Sequence, residues 1–246
     1  MTDEELLAAA CPPINRMGAA FMFAPPTVAL GKSLGLDVFQ FYGIGRGGLL
    51  GDVDPAVVHA AFGYFNPEFV RSLWSAAREH ITPREAGLAY LDCAAEFGRA
   101  RLAGLDLDAF CAAAGAVNDA ADPVGLALYA SVAAEPLVDD APGRAGQLLH
   151  ALRELRGSAH LAAIRAAGLS AKVAHCIKRP KEIAMFGWPD DGSIVITDQD
   201  RERLADAEAM TDTIVGPAYA VLDQAGRTAL VDGLGAIKTA LATAAS

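Results

Sequence analysis

The sequence predicts an all-α fold, a multi-helix bundle with one short β element. Helix-start signals in which a polar residue precedes proline recur, as at Asp54-Pro55, Asn66-Pro67 and Thr82-Pro83. Apolar residues recur at three- and four-residue steps through long stretches, the longest being residues 144–168. Residues 193–197, SIVIT, form the one segment rich in β-branched residues. Helices therefore dominate the predicted architecture.

The N-terminal region is predicted to fold as three short helices separated by prolines. The first covers residues 3–10 and stops at Pro12 and Pro13, because proline removes a backbone donor and clashes with the preceding turn. The second covers residues 16–23 and ends before Pro25. The third starts at Pro26 or Thr27 and fades by Gly35.

Residues 39–51, FQFYGIGRGGLLG, combine aromatic residues with five glycines. The spacing fits neither GxGxxG nor GxxxxGK[ST], and no β-rich segment precedes it, so a phosphate-binding loop is only weakly indicated. The glycines favour either close packing or positive φ in a tight chain reversal. Arg46, flanked by glycines, either reaches inward toward a ligand or lies exposed on a loop.

Five further helices are predicted between residues 54 and 134, each opened by an acidic, amide or hydroxyl side chain. They cover residues 54–64, 66–80, 82–103, 106–119 and 122–134. Residues 135–143, EPLVDDAPG, combine proline, glycine and acids, and they predict a boundary between an N-terminal part, 1–140, and a C-terminal part, 141–246, which could also form one compact domain.

The helix over residues 144–168 is the segment around which the chain is organised. Leu148, Leu152 and Leu155 begin its apolar stripe. Shorter helices are predicted over 170–177 and 180–186, then the strand at 193–197, a helix from Thr197 or Asp198 to about Val215 that Pro217 interrupts, and a terminal helix over 227–244.

Composition excludes some functional classes. The richest apolar window, residues 17–30, is cut by Pro25 and Pro26, so no transmembrane helix and no membrane partner are predicted. The acidic start MTDEELL lacks the positive charge of a signal peptide, which favours a cytoplasmic protein. The four cysteines are far apart without a CxxC pair, and they favour buried, reduced thiols over a metal site.

The charge distribution points to a local anion site or a basic face. The net charge of −10 disfavours unspecific binding of nucleic acid. Residues 144–181 nevertheless carry eight lysines and arginines and a single acid, Glu154. A solvated helix surface neutralised by acidic neighbours is the alternative explanation.

Arg156 and His160 form the main candidate site, because residues four apart on a helix project from one face and can converge on an anion. Arg153 lies on the same stripe. These residues predict a pocket for an anionic or amphiphilic small molecule. With three residues from other segments, the predicted ligand-binding set is Arg46, Tyr42, Arg153, Arg156, His160 and Trp188.

Several motifs in order resemble a largely uncharacterised actinobacterial family described as winged helix-turn-helix-like. They are NRMGAAF, FQFYGIGRGGLLG, AAFGYFNPEFV, LRELRGSAHLAAIRAAGL, GW and TDQDRERLADAEAMTD. The resemblance implies a degenerate winged-helix-like C-terminal part. The positions that match the family pattern are Gly45, Arg46, Arg156, Gly157, His160, Thr211 and Asp212.

Two departures from that family bear on function. Family members place a helix between the GW dipeptide and the wing-like strand, where it would read DNA, whereas Gly187-Trp188 leads here through PDDG directly into SIVIT. A family histidine near the first helix is replaced by FMFAPP.

Three functions remain open. The first is a cytosolic binding or sensing protein for a small-molecule ligand, and a homodimer is expected from fold-level analogy. The second is a DNA-binding transcriptional regulator, which the missing helix and overall acidity disfavour. The third is a biosynthetic enzyme with His160 as general base beside Arg156. The sequence does not identify a cofactor: His150, His160 and His175 leave a metal or haem ligand open, but their spacing of ten and fifteen residues predicts no metal site.

Overall fold

The computed structural model describes residues 1–189, 191–192 and 194–243. In this part of the chain the regular structure is helical, which confirms the all-α prediction. The α-helices are α1 (Asp3–Met17), α2 (Pro25–Ser33), α3 (Val38–Gly47), α4 (Pro55–Phe62), α5 (Pro67–Ala77), α6 (Pro83–Arg101), α7 (Asp108–Ala120), α8 (Ala127–Ala133), α9 (Ala141–Ala166), α10 (Ala171–Lys178), α11 (Asp198–Ala220) and α12 (Gln224–Thr243). Short 3-10 turns cover Gly48–Leu50, Pro180–Glu182 and Ala184–Phe186.

The predicted helix starts in the middle of the chain are confirmed by side-chain caps. Asp54 and Asn66 each accept a hydrogen bond from the backbone two residues on, before the prolines that begin α4 and α5. Thr82 forms a capping box with Glu85 at the start of α6. These local bonds satisfy amide donors that have no partner inside the helix, so the sequence alone determines where these helices begin.

The prediction that Pro12 and Pro13 end the first helix is wrong. α1 continues through both prolines to Met17, and no second helix covers 16–23. Each proline removes one helical hydrogen bond, but Cys11, Ile14 and Met17 are buried against neighbouring helices. Burial of this face therefore outweighs the loss of two backbone bonds.

Of the two alternatives for the glycines of residues 39–51, close packing holds within the helix, and positive φ holds at Gly51, which follows the 3-10 turn with φ of 92°. Most of this segment is α3, whose N-cap Asp37 forms a capping box with Gln40. Close packing is visible at two glycines: a Cβ at Gly45 would meet the ring of Tyr90, and one at Gly48 would meet the carbonyl of Pro83. Arg46 is consequently a buried helical residue, not an exposed loop residue.

The predicted β element is not found. Residues 194–197 have no regular structure, and Ser193 lies outside the described residues. The prediction that Pro217 interrupts the next helix is wrong as well, since α11 runs to Ala220 with Ala218 and Tyr219 buried. Thr197 caps α11 as predicted, in a capping box with Asp200.

The central helix α9 confirms the predicted organising segment. It packs against α1, α6, α7, α8 and α11, and Leu148, Leu152 and Leu155 are fully or almost fully buried in the main core. A second, aromatic cluster around Phe41, Trp74 and Tyr90 fills the space between α3, α5 and α6. α9 thus supplies residues to the main core, and its His150 ring contacts Phe21 and Tyr90 of the aromatic cluster.

Three further predictions concern the cysteines, a membrane-spanning helix and the boundary at residue 140. All four cysteines are buried. Within the described residues, no helix combines the length and apolar character needed to cross a membrane. The division at residue 140 stays a prediction.

Candidate ligand cavity and basic surface

A cavity of about 330 Å³ lies between α1, α3, α4, α9, α10 and α11. One wall is aromatic, with Tyr42, Phe62, Tyr64, Phe65 and Phe186. Five cationic side chains also line it in the described part of the chain: Arg46, Arg153, Arg156, Lys178 and Arg179. A volume of this order is within the usual range for small-molecule sites, roughly 300–1,000 Å³.

Beneath the cavity lies a buried ion pair between α3 and α9. Arg46 Nε lies 2.9 Å from Glu154 Oε1, and Arg46 Nη2 lies 2.8 Å from Glu154 Oε2. The Glu154 side chain is fully buried. Burial by itself raises the pKa of Glu154, but Arg46 and Arg153 outweigh it and hold the pKa well below its usual value. The carboxylate is therefore ionised at neutral pH.

Arg153 makes this arrangement a triad with excess positive charge. Its Nη1 donates to Glu154 Oε1 at 2.5 Å, so two guanidinium groups share one carboxylate. The Arg153 Nε has no hydrogen-bond partner among the described residues. Arg46 also donates to the Tyr42 hydroxyl at 3.1 Å, which fixes one polar atom of the cavity wall.

The second cluster joins α9, α10 and α11 around Arg156 and His160. Arg156 Nη2 lies 3.1 Å from a carboxylate oxygen of Glu208 and 3.1 Å from one of Asp212. Lys178, the last residue of α10, also pairs with Glu208. Glu208 is thus shared by cations from two helices.

His160 is neutral and has a defined tautomer. The Thr211 hydroxyl donates to the carbonyl of Ala207, so it accepts from His160 Nδ1 at 2.8 Å, and Nδ1 carries the proton. His160 Nε2 is then an acceptor, 3.5 Å from Lys178 Nζ. Burial, with the charge of Lys178, lowers the pKa of His160 to about 4.

Two further polar groups in the cavity wall lack partners. Ser158 Oγ and His175 Nε2 are buried and have no hydrogen-bond partner among the described residues. The His175 ring lies 3.9 Å from the Phe186 ring centroid, and burial and Arg179 lower the pKa of His175. Unpaired buried polar atoms are costly, and a ligand or bound water that pairs with them would remove that cost.

Five of the six residues predicted to bind ligand line this cavity: Tyr42, Arg46, Arg153, Arg156 and His160. Trp188 does not line it; its Nε1 donates to the carbonyl of Tyr64 at 2.8 Å, and Lys172 lies over its ring. The ligand-binding role of these residues stays a prediction. His150 is buried against Phe21 and Tyr90, away from the cavity wall.

Several residues of these clusters lie outside the predicted ligand-binding set, among them Glu154, Ser158 and Glu208. Glu154 was visible as the one acid in a basic stretch, a signal that points to a buried partner for the cations around it. Ser158 lies one helical turn after Glu154, so the two side chains project from the same face of α9. Glu208 gave no signal, because its contacts come from α9 and α10, far away in sequence. Thr211 and Asp212, matched only by resemblance, contact His160 and Arg156.

A metal centre is not indicated by the described residues, since they contain no group of three or more His, Cys, Asp or Glu side chains placed to hold an ion. His150, His160 and His175 do not converge on one point of the structure that could serve as such a group.

The segment next to the cavity is rich in basic residues, although Arg179 is paired with Glu182. Residues 161–189 contain five lysines and arginines and one acid. Arg165, Arg179 and Lys181 are exposed, and Lys172 is half-buried. We call these four residues the basic surface.

Comparison with known proteins gives one match. A family model described as a helix-turn-helix family covers residues 8–185, most of the chain. This chain belongs to that helix-turn-helix family. No curated protein and no solved structure matches it. The matched region contains α10 and the basic surface. After it, the described residues between Gly187 and Thr197 form neither a helix nor a wing strand.

Proposed function

We propose that this protein is a DNA-binding transcriptional regulator that contacts DNA phosphates through the basic surface. Membership of a helix-turn-helix family carries this proposal. Most contacts between proteins and DNA go to phosphates, and arginine and lysine supply them. The position of the basic surface on an otherwise acidic chain supports α9 and α10 as the elements that approach the duplex.

The charge pattern favours a directed contact over unspecific binding. A chain with net charge −10 is repelled by DNA over most of its surface. The basic surface would orient the approach, since Arg165 lies in the last turn of α9, Lys172 lies in α10 and Lys181 follows α10. We infer that α10, a helix of eight residues, lies closest to the DNA.

A gel-shift assay tests this proposal, with the DNA upstream of the gene for this protein at two salt concentrations. A specific complex should weaken as salt rises. The double variant Arg165→Ala/Lys181→Ala should bind less tightly, and the slope of log affinity against log salt should shrink by about two units, or about 0.9 for each phosphate that the variant no longer neutralises.

The matched control removes two positive charges elsewhere. Lys32 and Lys238 are exposed on α2 and α12, so Lys32→Ala/Lys238→Ala should leave the salt slope unchanged. Absence of any complex at low salt would contradict DNA binding, and equal loss in both double variants would contradict the assignment to the basic surface.

A second function, binding of an anionic or amphiphilic ligand, is favoured by the charge balance of the cavity. The described carboxylates that pair with its five cations are Glu154, Glu182, Glu208 and Asp212, so one positive charge is left over. The aromatic wall adds apolar contacts for the same ligand, and Ser158 Oγ and His175 Nε2, which have no partner among the described residues, add polar ones.

Calorimetry with decanoate, a simple amphiphilic carboxylate, tests ligand binding. Arg156→Ala should weaken binding roughly tenfold or more, as expected when a charge-assisted hydrogen bond is removed. Arg165→Ala, at the exposed end of the same helix, is the control and should bind like the unaltered protein. If the unaltered protein gives no binding heat, the ligand proposal fails.

The predicted homodimer belongs with the DNA-binding proposal, since two-fold symmetric regulators bind paired half-sites. Sedimentation velocity should give a species of twice the monomer mass. A monomer at all concentrations up to those used for DNA binding would contradict it.

A further inference from the structure

Glu208 lies where the charged group of a ligand is expected. It lines the cavity, its Oε2 pairs with Arg156 at 3.1 Å, and its Oε1 pairs with Lys178 and lies 3.8 Å from His160 Nε2. One carboxylate of the chain itself therefore collects the contacts of three nitrogen-bearing side chains.

The environment of Glu208 would allow the carboxylate of a ligand to replace it, whereas the environment of Glu154 would not. The Glu208 side chain is 35% exposed, and the side chain of its partner Lys178 is 45% exposed. Ion pairs with this much solvent access contribute little to stability, because water screens them and both side chains must be immobilised. Glu154 is fully buried with Arg46, so losing it would leave a buried charge without a partner.

Arg156 would stay paired during such an exchange. The same Nη2 that contacts Glu208 also contacts Asp212, whose side chain is 46% exposed. Departure of Glu208 would free Lys178 and one of the two ion pairs of Arg156 for another carboxylate. The rings of Tyr64, Phe65 and Phe186 supply apolar surface in the same cavity.

We propose that Glu208 is an internal competitor, and that the carboxylate of an amphiphilic ligand replaces it at Lys178 and Arg156. The apolar part of the ligand then lies against the aromatic wall. This inference rests on the proposed ligand binding, and it adds the ligand class, the anchoring residues and a means of regulation.

Replacement of Glu208 by a ligand would also change the contacts between α10 and α11. Lys178 ends α10 and Glu208 lies in α11, so their ion pair is one of the contacts between these helices. Because α10 also carries Lys172 of the basic surface, a ligand that separates Glu208 from Lys178 alters the support of that surface. Linkage then requires DNA to change the ligand affinity by the same factor.

The experiment is calorimetric titration with decanoate of the unaltered protein, Glu208→Gln and Glu202→Gln. Glu202 is exposed on the same helix, so its variant matches the change in charge without touching the cavity. 1-Decanol, which has the same chain length without the charge, reports the apolar contribution alone.

Glu208→Gln should bind decanoate roughly tenfold more tightly, because removing the competitor raises the fraction of protein that is ready to bind. Glu202→Gln should match the unaltered protein, and 1-decanol should bind all three with equal affinity. Far-UV circular dichroism of each variant should be unchanged, which shows that folding is retained.

The possible failures are distinguishable. If the unaltered protein binds decanoate and Glu208→Gln binds it no more tightly, the competitor role is overturned while ligand binding stands. If neither protein binds decanoate, both the inference and the ligand-binding proposal are overturned. Equal tightening in Glu202→Gln would assign the effect to net charge and also overturn the competitor role.

Discussion

At the residue scale, the buried triad of Arg46, Arg153 and Glu154 is the most constrained polar feature of the molecule. Glu154 is inaccessible to solvent and receives two short hydrogen bonds from Arg46 and one from Arg153. Such a group needs its hydrogen-bonded partners, because removing one of them leaves an uncompensated charge in a medium of low polarity.

We therefore expect Glu154→Gln to lower the free energy of unfolding by about 3–5 kcal/mol, the usual loss when a buried ion pair is broken. Urea denaturation followed by circular dichroism measures this. The control is Glu96→Gln, whose side chain is 70% exposed beside Arg99 and whose loss should have little effect. Similar small losses in both variants would show that the triad is hydrated in solution.

His150 makes the protein sensitive to acid. Burial is the main cause that lowers the pKa of His150 to about 4, against an ordinary value of 6.5. The unfolded chain thus binds more protons than the folded chain between these two values, so stability falls as pH decreases through that window. This residue should contribute a loss of about 2 kcal/mol between pH 7 and pH 5.

Replacing His150 with phenylalanine keeps the ring contacts to Phe21 and Tyr90 and removes the titrating group. His150→Phe should therefore lose less stability than the unaltered protein between pH 7 and pH 5, as measured by urea midpoints. His80→Gln, at an exposed site, should keep the original slope. An unchanged slope in His150→Phe would contradict the assignment.

At the scale of elements, the crossing of α6 and α9 depends on small residues. Gly146 of α9 lies so close to α6 that a Cβ there would meet the carbonyl of Ala94. Gly98 of α6 is placed likewise against the carbonyl of Pro142. The close approach of the two backbones brings α3 and α9 to the distance at which Arg46 reaches Glu154.

Gly146→Ala should destabilise the protein by about 1–3 kcal/mol, because the extra methyl group forces the helices apart. Gly115→Ala in α7 is the matched control, since a Cβ there meets nothing within 4 Å. The control should stabilise the protein by about 0.5–1 kcal/mol through the higher helix propensity of alanine. Thermal unfolding of both variants measures the difference, and stabilisation by Gly146→Ala would contradict the close crossing.

The sequence predicts where helices start better than where they end. Caps such as Thr82 with Glu85 and Thr197 with Asp200 are bonds between neighbours in sequence, so their pattern is visible in the chain. The continuation of α1 through Pro12 and Pro13 depends on burial of Ile14 and Met17 by distant helices. Local rules fail there because tertiary packing outweighs them.

At the scale of the whole molecule, the cavity and the basic surface adjoin each other. Arg179 belongs to both, and Lys178 of the cavity immediately precedes it. Family membership supports DNA as a partner, and the charge balance of the cavity supports an anionic ligand. A protein with both sites would respond to a metabolite by changing its affinity for DNA.

Ligand binding should raise the stability of the whole protein. At a free concentration of decanoate about 100 times its dissociation constant, unfolding should cost about 2.7 kcal/mol more. Scanning calorimetry at increasing decanoate measures the rise in melting temperature. Arg156→Ala should show a smaller rise at the same concentrations, and an equal rise would contradict binding at Arg156.

The sequence by itself determined the helical class, the positions of the capped helix starts and the stripe of α9 that carries Arg153, Arg156 and His160. These properties depend on residues within a few positions of each other, whose hydrogen bonds and periodicity are local. Only the tertiary structure decided that Arg46 is buried against Glu154 and that Glu208 pairs with Arg156 and Lys178. Those contacts join helices far apart in sequence, and they form because packing of the apolar faces brings the charged groups together.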